Sequence, residues 1–286
     1  MITSLLIMVR EGFEAALIVA IIYAYIGRIE RPDLMRPMWN GVLAAVALSA
    51  ALGAVIHLTV DALEGEARLR AFAAISVFAA VVLTWMVFWM RRHARGIKGE
   101  LQRSIDSAVA GGGSIRWAVA AAAFFAVIRE GLEAALFLIA AATTTHPGEV
   151  LLGGVAGIAI ASALGYVVVL GGRRLPLQKF FTVTGVMLIV FAAGLLARAV
   201  AFLQYSGDLA IWVNNVYDLT GYAWLTVDTE VGKFLGAMFG WDPRPSIEQV
   251  IVWLAYLGIV TTLFLRGSRP PKPDTRAEPA PAEQRV

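Results

Sequence analysis

Apolar stretches of about twenty residues, the length a helix needs to cross a bilayer core, recur along this 286-residue chain. No other feature constrains the fold as strongly. A soluble domain cannot hide so many such runs, and the composition agrees: 59% of residues are hydrophobic, 16% are charged and the mean hydropathy is +0.72. The class that follows is an all-α polytopic membrane protein. Seven transmembrane helices are expected, near residues 2–26, 38–58, 71–90, 117–142, 150–170, 179–204 and 250–265. The first run has no basic n-region, and Arg10, Glu11 and Glu14 interrupt it, so it reads as a retained span and not a signal peptide. The sequence has no cysteine, which excludes disulfides and thiolate metal sites.

Lysine and arginine set the direction of the spans. Of the 24, 17 fall in the loops after spans one, three and five or in the tail, and only Arg68, Arg70, Lys233 and Arg244 fall on the other side. Arg10, Arg129 and Arg198 lie within spans. An alternation this lopsided puts the N-terminus outside and the C-terminus in the cytoplasm. The basic loop at 91–116 fits the same rule or contact with anionic lipid, and not nucleic acid. Residues 205–249 form an external segment in which an amphipathic helix at the interface is expected. The Pro-rich end, 267–286, reads as a disordered cytoplasmic tail on a transmembrane domain covering 1–266.

One repeat organises the chain. Val9-Arg10-Glu11-Gly12-Phe13-Glu14-Ala15-Ala16-Leu17 returns as Ile128-Arg129-Glu130-Gly131-Leu132-Glu133-Ala134-Ala135-Leu136. The second copy lies three spans on from the first, so it runs in the opposite direction. The expectation is an inverted repeat of 3+3 helices (about 1–93 and 115–204) plus a seventh at 250–265, with the binding site where the halves meet.

Residues three and four apart share a helix face. Glu11 and Glu14 therefore project together, as do Glu130 and Glu133, with Arg10 and Arg129 one turn from Glu14 and Glu133. Two such helices meeting antiparallel would oppose four carboxylates, leaving a formal charge of −2 after the arginines. Each intramembrane charge costs about 3 kcal/mol to insert, or roughly 15–20 kcal/mol for six. A pair of helices stapled by Arg–Glu bridges is the plainer alternative, but two copies in opposed halves favour an ion site. The candidate metal ligands are Glu11, Glu14, Glu130 and Glu133. Arg10 and Arg129 support them, and Gly12 and Gly131 admit a neighbouring helix or ion. An all-oxygen set suits hard cations, and His57, His93 and His146 lie at span ends or in loops, away from any di-iron arrangement. With no cofactor motif present, an enzyme is not expected.

These motifs resemble the oxidase-dependent iron permease family, with its bacterial Efe-type members. The resemblance extends over nearly the whole chain through Thr84-Trp85-Met86-Val87-Phe88-Trp89-Met90, Ala193-Gly194-Leu195-Leu196-Ala197-Arg198 and Gly240-Trp241-Asp242-Pro243-Arg244-Pro245-Ser246. It implies iron as the transported substrate, with no permanently bound cofactor. Another hard or divalent cation, such as lead or manganese, is the alternative cargo. It also implies separate periplasmic proteins that oxidise or deliver the iron. The short loops and the lack of a targeting sequence fit a bacterial inner membrane. Family members carry an acidic Glu-Gly pair at the start of span three, where Phe72 and Ala73 stand here.

Asp61, Glu64 and Glu66 lie close by, and read either as solvated loop charges or as an external funnel for cations. Trp85, Met86, Trp89 and Met90 read as an interfacial belt with packing. Arg198 reads as a structural side chain reaching for the interface, and Gly153, Gly157, Ala161 and Gly165 as a helix-packing seam.

Overall fold

The computed structural model describes residues 1–93, 114–142, 147–171, 177–226 and 229–266. The tail at 267–286, most of the basic loop, and Arg173, Arg174, His146 and Asp228 lie outside these residues. Among the described residues the chain is entirely helical. The long helices are α1 (Ile2–Arg28), α2 (Met35–Asp61), α3 (Gly65–His93), α4 (Ile115–Ala142), α5 (Pro147–Gly171), α6 (Leu177–Tyr205) and α8 (Ile247–Arg266), with a ten-residue α7 (Glu230–Phe239) before the last. The shortest long helix has 20 residues, or about 30 Å at 1.5 Å per residue, enough to span a bilayer core.

Five of them, α2, α3, α5, α6 and α8, are also apolar enough to cross a membrane. The two that fall short on composition are α1 and α4. Arg10, Glu11 and Glu14 interrupt the first, and Arg129, Glu130 and Glu133 the second. Several helices run past their apolar stretches. For example, α3 starts at Gly65 because Glu66, Arg68 and Arg70 extend it as a polar, exposed first turn and a half.

Small residues decide which helices meet. α1 lies along α5, and α2 along α4. On α5, Gly153 abuts Ser4, Gly157 abuts Met8, and Gly165 abuts Ala16; a Cβ at Gly12 would stand 2.9 Å from that of Ala161. The rising order on both helices makes the pair parallel, and the predicted seam is the contact. On α2, Gly41 abuts the Ala120 carbonyl, Ser49 abuts Gly131, and Gly53 faces Ala135, again in parallel. In hydrocarbon, such close backbone approach replaces the hydrophobic effect as the source of association. α3 packs on α6, which in turn packs on α8. Tyr256 and Thr84 share a 2.6 Å hydrogen bond between α3 and α8.

Two apolar cores result. One gathers Leu83, Met86, Phe137, Ile189, Phe191 and Leu195 with Ile7 of α1. The other gathers Ile22, Ile26, Leu34, Met38, Val119 and Val127. The start of α1 thus shares a core with the end of α4, and its end with the start of α4, so the two helices cross antiparallel. Residues 10–14 and 129–133 fall between the two cores, which places a polar layer across the middle of the bundle. Leu43, Leu58, Leu151 and Val155 point outward from α2 and α5 and are exposed. Such a surface suits lipid and not water.

The segment after α6 folds back on the bundle. Val216 and Leu219 donate to the carbonyls of Pro245 and Pro243, and Tyr217 stacks on Trp241. Thr229 caps α7 by accepting from Gly232 N at 3.0 Å. Gly240, at φ 67°, ends α7 in the left-handed region that glycine occupies without penalty. A reciprocal box opens α8, with Ser246 N donating to Gln249 Oε1 at 2.6 Å and Gln249 N to Ser246 Oγ at 3.3 Å. The expected interfacial helix is therefore present as α7, but it does not lie free. Its end packs Gly240 against the Gly194 backbone, and Met238 joins the first core.

Candidate functional site

In the polar layer, the first motif is closed on itself. Arg10 is buried and pairs with Glu11 at 2.6 Å and Glu14 at 2.9 Å through different guanidinium nitrogens. The same nitrogens donate to the Met86 and Met90 sulfurs of α3 at 3.3 and 3.7 Å. The second motif is looser. Arg129 Nε donates to Glu133 at 3.1 Å and stands 4.0 Å from Glu130. Its guanidinium lies over the faces of Trp89 and Trp85, 4.0 and 5.5 Å from their centroids.

Carboxylate oxygens of Glu11, Glu14 and Glu130 lie within 4.8 Å of one another. All three side chains, and Glu133, are buried. Oε2 of Glu11, Glu130 and Glu133 meets no hydrogen-bond donor among the described residues. At that spacing, two ionised carboxylates repel by roughly 3 kcal/mol at an effective dielectric of about 20. Two arginines facing four glutamates leave that repulsion partly uncompensated. A cation among the three carboxylates would offset it and engage the unpartnered oxygen lone pairs, and an all-oxygen set suits a hard or borderline metal ion.

The glycines do what their position requires. Gly12 admits Ala161, and any side chain at Gly131 would collide with Ser49. Both motifs are thus pressed against a neighbouring helix on the side away from the carboxylates. A cavity of about 150 Å³ approaches Arg10 between α1, α6 and α7, lined by Thr3, Leu6, Thr184, Phe191 and Met238 among others.

The α3 residues read as a belt with packing do pack, with Met86 and Met90 buried and Trp85 exposed, and they also touch both arginines. Trp85 and Trp89 are one helical turn apart, and so are Met86 and Met90, on adjacent faces. Composition alone could not tell a lipid-facing belt from this arrangement.

Where α2 turns into α3, the acids Asp61 and Glu66 are engaged locally. Asp61 pairs with Arg68 at 2.7 Å, and Glu66 with Arg70 at 3.0 Å; Glu64 is exposed in the α2–α3 turn. Arg70 also grips Asp208 at 2.7 Å, joining α3 to the loop after α6. The Arg70 and Ser206 hydrogen bonds hold the Asp208 carboxyl below its ordinary range. Phe72 and Ala73, where the family pair is expected, are apolar packing: Phe72 meets Phe202 at 5.5 Å, and Ala73 is buried. Arg198 does not reach for lipid but donates to the Gly236 carbonyl in the last turn of α7, where a cation also complements the helix dipole.

A bundle of long apolar helices with a buried carboxylate–guanidinium cluster at its centre is the architecture of a membrane transporter for a cation. The match to known families is more particular: over residues 1–269 the chain fits the iron permease FTR1 family, and it belongs to that family. It is accordingly an iron permease and not an enzyme. Similar curated proteins include "Ferrous iron permease EfeU" of Escherichia coli O157:H7 and of Shigella sonnei, each 38% identical over 257 residues, covering 90% of this chain and 92% of the relative. The protein of that name from Yersinia pestis is 36% identical over 264 residues, covering 92% and 93%. No solved structure matches the chain.

Proposed function

We propose that iron crosses the membrane through a single site shared by both motifs, with Glu11, Glu14, Glu130 and Glu133 as ligands. Arg10 and Arg129 set the charge of that site. The observation that carries this reading is the approach of Glu11, Glu14 and Glu130 oxygens to within 4.8 Å, in a buried layer between two apolar cores. The formal excess of negative charge attracts a multivalent cation, and the arginines keep the site from becoming a trap.

The seven long helices are the seven spans on this reading, with α1 and α4 carried across despite their charges because those charges pair with one another. Contact symmetry supports the inverted 3+3 repeat. Exchanging α1 with α4, α2 with α5 and α3 with α6 turns the α1–α5 pair into the α4–α2 pair, and returns α1–α4 and α3–α6 to themselves. Gly41, Ala45, Ser49 and Gly53 on α2 also repeat the four-residue spacing of Gly153, Gly157, Ala161 and Gly165 on α5. The lysine and arginine bias puts the N-terminus outside and the C-terminus inside a bacterial inner membrane. Ferrous iron is the cargo, in keeping with the names of the relatives. Separate periplasmic proteins hand it over, as the family resemblance implies. Asp61, Glu64 and Glu66 collect cations at the mouth, Asp61 and Glu66 only insofar as Arg68 and Arg70 release them.

Uptake of radiolabelled Fe(II) by cells expressing Glu14→Ala or Glu133→Ala tests the reading. Loss of uptake with normal membrane insertion supports it, and normal uptake in well-inserted variants refutes it. Competition by manganese, lead and Fe(III) in the same assay ranks the cargo.

A further inference from the structure

The two motifs share one sequence pattern, yet their arginines are held differently. The Arg10 side chain is 5% exposed and ion-pairs closely with both of its glutamates, at 2.6 and 2.9 Å, whereas that of Arg129 is 31% exposed and approaches Glu133 at 3.1 Å but Glu130 only at 4.0 Å. The difference lies on α3. Trp85 and Trp89, one turn apart, stack at 6.2 Å with an interplanar angle of 28°. The Arg129 guanidinium lies over both rings, 4.0 Å from the Trp89 centroid and 5.5 Å from that of Trp85. Its Nη2 is buried with no hydrogen-bond acceptor, so the negative face of the rings is what compensates it. Glu130 is left with a 4.0 Å gap to the arginine and a buried Oε2 that no donor fills.

We infer that Trp85 and Trp89 form a π platform that holds the Arg129 guanidinium back from Glu130 and so keeps one carboxylate of the site open to the cation. The inference rests on the reading of Glu130 as a ligand. Without the platform, the same side chain would swing toward the close pairing with two glutamates that Arg10 has, because the two rings are what hold it on the α3 side. Glu130 would then be neutralised by protein instead of iron. The consequence is weaker capture of the ion, with the later steps of transport unaffected. Trp85 and Trp89 are therefore positioning residues: they act on the site through Arg129.

A packing role for the same rings makes a different forecast, because packing depends on shape and the platform depends on the π electrons. Tryptophan analogues carrying one to four ring fluorines, placed singly at position 89, keep the shape while withdrawing charge from the face. Fe(II) uptake into proteoliposomes is then measured as a function of iron concentration. The half-saturating concentration is expected to rise stepwise with each fluorine, by about five- to tenfold across the series, while the maximal rate changes less than about twofold. At position 85, further from the guanidinium, the rise is shallower. A flat response at 89 overturns the platform. Glu130→Gln, run alongside, separates the two readings. If that variant transports normally, Glu130 is not a ligand and the inference falls with the site. If it is inactive while the fluorine series is flat, the site stands and the platform alone is wrong.

Discussion

Glu14 and Glu130, one from each motif, bring carboxylate oxygens to within 4.8 Å of each other, although nearly the whole first half of the chain lies between them. Two buried acids stay that close only where something offsets their charge. On one side that is Arg10, fixed by Glu11, Glu14 and the two methionine sulfurs of α3. On the other it is an arginine resting on tryptophan.

Arg10→Gln removes the partner of two buried carboxylates. Breaking a buried ion pair by deleting one member costs about 3–5 kcal/mol. Thermal unfolding in detergent should show a large loss of stability, and adding Glu11→Gln to the same chain should recover part of it. Recovery identifies the loss as uncompensated charge; a variant as stable as the native protein contradicts the pairing.

Gly131→Ala places a Cβ into the Ser49 side chain, where α2 lies along α4. Overpacking of this kind costs about 1–3 kcal/mol. Adding Ser49→Gly clears the space and should restore much of the stability. Thermal midpoints for the two variants and their combination check this as a double-mutant cycle.

Much of this was legible in the sequence, and the remainder was not for physical reasons. Helix identity followed from apolar length, and the α1–α5 seam from Gly153, Gly157, Ala161 and Gly165. The antiparallel crossing followed from the repeat and the charge count. The sequence could not indicate that Trp85, Met86, Trp89 and Met90 face the arginines. Aromatic and thioether side chains pack equally well against lipid, and only the rotation of α3 about its own axis decides. The mix of Trp, Tyr, Gly and acids over 205–249 points to an amphipathic interfacial helix without locating it, and α7 is the helix that forms there. Its docking depends on Gly194 and Gly240 meeting backbone to backbone, and on Arg198 reaching the Gly236 carbonyl. Such contacts leave no periodic trace in a single chain.

The Arg70–Asp208 pair, which joins α3 to the loop after α6, predicts a pH dependence of stability. Arg70 and Ser206 lower the carboxyl pKa of Asp208 in the folded protein. The pair therefore stabilises the fold above the unfolded value of about 3.9, and that contribution is lost as pH falls through the lower, folded value. The difference in thermal midpoint between native protein and Asp208→Asn should be constant from neutral pH to about pH 5 and shrink below about pH 4. A difference that shrinks above pH 5 contradicts the assignment.

The central claim is that both motifs build one site. Anaerobic Fe(II) binding to the purified protein, read as ions per chain, tests it most directly. One shared site predicts a single ion per chain, lost in Glu14→Gln and equally in Glu130→Gln. Two ions per chain, with each variant keeping one, would show two independent sites and contradict the account.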